Sequence, residues 1–167
     1  MHLLQKIMTN GYLLIIPIII WNMAFFSYLP PPFKPENFNS DIPLWITVGE
    51  NLFRAVLFIF PVFFKINIKT SLKNKGLITY LSGVVLYFSS WLAIIFSPAS
   101  AWSSSILGFS APAYTPIIWI LGLSMMVDSY AFNFKFNYSK WHFLLPSMSL
   151  IVFHISHVIY VYNRNYL

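Results

Sequence analysis

Four side chains in this sequence have the types and spacing to do chemistry: Glu50, Arg54, His154 and His157. All four fall inside long apolar stretches. An ionisable group at the centre of a membrane helix costs about 2.5–3.5 kcal/mol on insertion scales, so each needs a partner or a task. Glu50 and Arg54 stand at i, i+4, which places them on one helical stripe. His154 and His157 are three residues apart and share a face with Ser147, Leu150 and Val161.

Three chemistries suit this set. In the first, the Arg54 guanidinium pairs with a carboxylate or phosphate, Glu50 and Asn51 orient it, and the histidines make the site responsive to pH. Asn22 and Trp91 belong to the same site by depth. In the second, His154, His157 and Glu50 supply the two imidazoles and one carboxylate that bind zinc or non-haem iron, with the fixed charge of Arg54 opposing a cation. In the third the residues are structural: Glu50 and Arg54 neutralise one another, and neutral histidines bond to carbonyls or serines. Ser–His hydrolysis has no nucleophile signature here. With no cysteine there is no thiol chemistry, and no Gly-rich phosphate loop is present.

The elements that must position these residues are apolar stretches near 11–29, 44–64, 76–97, 116–134 and 141–162, each close to the ~20 residues a membrane-crossing helix needs. The 167 residues are 58% hydrophobic and 8% charged, too little polar surface to coat a soluble globule, so residues 1–167 read as one membrane domain. The expected fold is an all-α integral membrane bundle of five transmembrane helices in a cell membrane, the cytoplasmic membrane of a prokaryote. Its orientation follows from the lysines. With a cytoplasmic N-terminus, Lys6, Lys65, Lys69, Lys73, Lys75, Lys135 and Lys140 lie inside, whereas only Lys34 and Arg164 lie outside. The positive-inside rule therefore selects a cytoplasmic N-terminus and an external C-terminus. The net charge of +6 faces anionic lipid headgroups on this reading, and nucleic acid is excluded as a partner.

Helical rise converts position into depth. Glu50 comes about 9 Å below the outer boundary, Arg54 about 15 Å, His157 about 8 Å, His154 about 12 Å, and Asn22 and Trp91 about 10 to 12 Å. Side chains tilt toward their helix N-terminus, which sends Arg54 up toward Glu50 and the two histidines downward. The expectation is an outward-facing polar pocket between spans two and five, floored by Arg54 and closed by the serine-rich segment 98–115.

The connections are read as follows. Residues 30–43, with five prolines, should be extended or turned at the surface and not helical. Segment 98–115 is too apolar for a solvated loop and too broken to span, so it should dip into the outer interface or cap the bundle. Lys65, Lys69 and Lys73 recur every four residues, as one face of a short helical turn would require. Asp128 should pair with Lys135 or Lys140, and Trp45, Trp102, Trp119 and Trp141 should anchor span ends at the interface.

These features favour a binder over an enzyme: a multi-pass protein that holds a small amphipathic molecule or a lipid head group, as a transporter component or sensor, with no resident cofactor. The alternatives are a membrane-embedded metal-dependent enzyme using His154, His157 and Glu50, and a structural subunit of a larger membrane complex. Membrane lipids are the expected partners, and a homo-oligomer is compatible with the sequence.

Overall fold

Helices dominate the computed structural model, which describes residues 9–132, 135 and 137–167. Helix α1 (Ile16–Phe25) is flanked by 3-10 turns at Gly11–Leu14 and Phe26–Tyr28. The one-turn α2 (Pro35–Phe38) precedes α3 (Leu44–Ile59), which runs through a 3-10 turn into strand β1 (Phe64–Ile66). Helix α4 (Ser71–Phe96) is followed by the short α5 (Ile106–Phe109) and α6 (Ala111–Tyr114), then α7 (Pro116–Met126), strand β2 (Val127–Tyr130) and α8 (Trp141–Tyr166). Among the described residues, four helical segments are long and apolar enough to cross a membrane: Gly11–Tyr28, Leu44–Phe63, Ser71–Phe96 and Trp141–Tyr166.

The fourth apolar stretch differs from its sequence reading. Its helix runs over Ala111–Met126, starting before residue 116 and stopping eight residues short of 134. That is about 24 Å of helix, less than the ~30 Å hydrocarbon thickness. Beyond Met126 the chain turns extended, and β2 pairs antiparallel with β1 in the register Phe64↔Tyr130, Lys65↔Ser129 and Ile66↔Val127. A pair of strands so short gives no periodicity that a sequence reading could separate from the end of a helix. Among the described residues the bundle is thus helical with one small strand pair, at the lysine-rich end.

α7 is buried among its neighbours, with Trp119, Ile120, Leu123 and Met126 all nearly inaccessible. A helix that is apolar all round belongs in the centre of a bundle. Its contact with α4 is a backbone-to-backbone approach. A Cβ on Gly122 would strike the backbone of Tyr80, and one on Gly83 would strike that of Trp119, so each glycine is needed for the other helix to come near. The turn ahead of α1 joins through Tyr80, whose hydroxyl donates to the Leu14 carbonyl at 2.6 Å, and α1 itself through Trp21 stacked on Phe88 at 4.0 Å.

Three connection readings change. Lys65 lies in β1, Lys69 in a turn and Lys73 in α4, so they do not form one helical face. The Thr70 side chain accepts from the Lys73 backbone N–H and starts α4 at Ser71, five residues earlier than expected. Asp128 faces Lys73, at 3.8 Å, because β2 runs beside the start of α4; Lys73 also donates to the Val127 carbonyl.

The proline strap 30–43 is partly helical, since its prolines occupy the first positions of short turns, where a missing N–H costs nothing. Nor does all of it lie at the surface. Phe33 is buried against Ile94, Phe109 and Val158, and Arg164 of α8 donates to the carbonyls of Asn37 and Ser40, fastening the strap to the C-terminal helix.

Candidate functional site

Gly49 sets the spacing of the α3–α8 pair, because a Cβ there would run into the ring of Phe153. The following residue, Glu50, is 1% exposed and meets α8 directly. Its Oε1 accepts from Arg54 Nη2 and lies 2.9 Å from His154 Nδ1; its Oε2 lies 2.5 Å from His157 Nδ1. The four ionisable residues picked out by type and spacing therefore form one connected cluster. Asn51 joins it at the edge, its Oδ1 accepting from Arg54 Nη1 at 3.3 Å.

The strap completes the cluster. Phe38 stacks on His157 with ring centroids 4.1 Å apart, and its backbone carbonyl lies 2.9 Å from His157 Nε2. A peptide carbonyl only accepts, so Nε2 carries a proton. Nδ1 of the same ring faces a carboxylate oxygen, and that contact also requires a proton between its two atoms. Glu50 and His157 together thus hold one proton more than a carboxylate and a neutral imidazole, and the pair as a whole is uncharged. His154 meets the carboxylate through Nδ1.

Two adjoining cavities border this cluster. The first, of about 330 Å³, lies between α1, α3, α4, α7 and α8 and is walled by Trp21, Phe25, Leu57, Trp91, Trp119 and Ile151, with Arg54, His154, Asn22 and Tyr87 as its polar lining. The second, about 260 Å³, lies under the strap and shares Arg54, His154, Trp91, Phe26 and Pro112 with the first. The first is near the lower end of the range for small-molecule sites, ~300–1,000 Å³, and the second falls just below it. The Arg54 side chain is 43% accessible and that of His154 25%, against 2% for Glu50 and for His157. Arg54 and His154 thus present the cluster to the cavities.

Of the seven candidate residues, Arg54, His154, Asn22 and Trp91 line the cavities; Glu50, His157 and Asn51 do not. Asn22 is engaged, its Oδ1 accepting from the Tyr87 hydroxyl at 2.7 Å. The space is ringed by five helices and is not confined between spans two and five. Segment 98–115 contributes Phe109, Pro112 and Ala113 to the lining of the second cavity. Three of its serines turn to the segment's own backbone: Ser104 donates to Ser100, Ser105 to Trp102 and Ser110 to Ile106.

Trp119 was expected at a span end but is 2% exposed, because the helix begins at Ala111 and carries residue 119 to its middle. Trp45, Trp102 and Trp141 are exposed. Trp21, Trp119 and the Phe38 carbonyl are site components that the sequence reading missed. A tryptophan in mid-span was a signal for Trp21, whereas Trp119, at the start of its apolar stretch, and a backbone carbonyl across 119 residues of sequence leave none.

No group of three His, Cys, Asp or Glu side chains among the described residues is disposed to hold a metal ion. In the His154, His157 and Glu50 set, both nitrogens of His157 are already engaged, and Arg54 occupies an oxygen of Glu50. The chain matches no family model, no curated protein and no solved structure.

Proposed function

We propose that the protein is a five-span membrane protein, N-terminus inside, that binds a small amphipathic molecule or a lipid head group, with the polar end at Arg54 and His154 and the apolar part among the aromatic side chains of the first cavity. The observation that carries this reading is the pairing of an apolar, tryptophan-walled space with a polar cluster at a single edge. Amphiphile sites have that division: broad apolar walls and a few convergent polar groups that fix orientation. A purely structural Glu50–Arg54 pair would have no reason to leave Arg54 accessible beside a cavity. On this reading α7 crosses with the other four helices despite its length, sheltered by protein and not by lipid, and the protein serves as a sensor or as the binding part of a transporter.

Native mass spectrometry of gently solubilised protein tests the proposal. A retained small molecule or lipid at one copy per chain, displaced by substituting Leu57→Trp in the cavity wall, is the expected result. Tryptophan emission should respond as well, since Trp21, Trp91 and Trp119 all line the space. Saturable quenching by a brominated amphiphile is expected in the wild type. Retention of nothing, together with quenching that never saturates, would overturn the proposal.

A further inference from the structure

The cluster at the cavity edge does not balance. The Glu50–His157 pair holds one shared proton and sums to zero, and Arg54 carries a fixed positive charge. Their sum is one positive charge. The other acidic residues of the chain are Glu36, Asp41 and Asp128. Asp128 faces Lys73 at the opposite end, and within the described residues Glu50 is the only acidic side chain in ion-pair contact with Arg54.

Hydrogen-bond donors are in excess around the first cavity, which Arg54 also lines. A guanidinium has five N–H groups, and the side-chain acceptors that take them are Glu50 Oε1 and Asn51 Oδ1. The indole N–H groups of Trp21 and Trp119, both lining the first cavity, are buried and find no acceptor among the described residues. Trp119 is 2% exposed, so no bulk solvent serves it. A buried donor without a partner is rare in native proteins and points to something absent from the chain itself.

Resting on the reading of the cavity as an amphiphile site, we infer that its occupant carries an anionic, acceptor-rich head group, a carboxylate or phosphate, docked on Arg54. Such a group supplies the missing negative charge and accepts from the Arg54 N–H groups that Glu50 and Asn51 leave over. A cationic head would add to the excess charge, and a neutral alcohol would supply one acceptor and no charge. Carboxylate and phosphate share the geometry that a guanidinium meets with two parallel N–H bonds, so the site selects by charge and acceptor number, while the apolar walls take the chain.

A head-group series on a constant tail, measured by titration calorimetry in a nonionic micelle at pH 8, tests this on the wild-type protein. The probes are dodecanoate, dodecyl phosphate, dodecanol and inorganic phosphate. Dodecanoate and dodecyl phosphate should bind at one per chain and at least about tenfold more tightly than dodecanol, the effect of one charge-assisted contact. Arg54→Gln should abolish that difference. Equal affinity for dodecanol and dodecanoate would overturn the anionic head while the amphiphile site stands. Inorganic phosphate binding as tightly as dodecyl phosphate would uphold the anion and overturn the amphiphile. Binding of none of the four would overturn both.

Discussion

Replacing Glu50 separates charge from hydrogen bonding in the cluster. The carboxylate accepts from Arg54, His154 and His157. In Glu50→Ala the arginine and two imidazoles lose that acceptor in a site that was 1% exposed, and removing one partner of a buried ion pair costs about 3–5 kcal/mol. Glu50→Gln differs in kind. Its carbonyl oxygen can take the place of Oε1, still accepting from Arg54 and His154, while its amide donates to His157 Nδ1. His157 then needs only its Nε2 proton, which goes to Phe38. The variant has one proton fewer, the same net charge and every contact intact, so the loss is confined to exchanging charge-assisted bonds for neutral ones, about 1–2 kcal/mol. Equilibrium unfolding in mixed anionic and nonionic micelles, followed by tryptophan emission, would measure both. Glutamine should lie within about 2 kcal/mol of wild type and alanine clearly beyond it. If glutamine is as damaging as alanine, the carboxylate charge itself holds the cluster and the shared-proton argument fails.

Other consequences can be measured independently. Burial and the neighbouring Tyr130 raise the Tyr138 phenol above its ordinary value. Its buried hydroxyl has no partner among the described residues, so the neutral form is favoured by folding. The stability tied to that proton is present below about pH 10 and is lost as the pH rises through the folded value. Tyr138→Phe should flatten this alkaline loss and be neutral or stabilising at pH 7; an unchanged alkaline profile would exclude the residue. At the α4–α7 crossing, Gly122→Ala would drive a methyl group into the Tyr80 backbone and should destabilise by about 1–3 kcal/mol or more, whereas a measured change within a few tenths would mean that the two helices are not so close. Reporter fusions after Lys75 and Lys140 should read cytoplasmic, and fusions after Pro35 and Ser104 external. An external reading after Lys75 would reverse the orientation or change the span count.

The sequence by itself determined the helical class, with helices apolar enough for a membrane, and the identity of the polar cluster, for two physical reasons. Long apolar stretches tolerate few structures other than helices in lipid, and an ion in such a stretch must find company, so Glu50, Arg54, His154 and His157 could be grouped by depth alone. Helix geometry also placed Glu50 and Arg54 within reach, because i, i+4 contacts are local. Only the tertiary structure decided what lies across from them. That Phe38, on a proline strap, supplies the carbonyl fixing the protonation of His157 depends on how the strap folds back. That Trp21 and Trp119 line the cavity depends on where α7 begins and on how closely Gly83 and Gly122 let it approach α4. The strand pair at residues 64–66 and 127–130 escaped for a similar reason. Its hydrogen bonds join segments some sixty residues apart, and three or four residues are too few for alternation to appear. Local spacing fixes which side chains can share a helix face; packing between helices fixes which of them enclose a space.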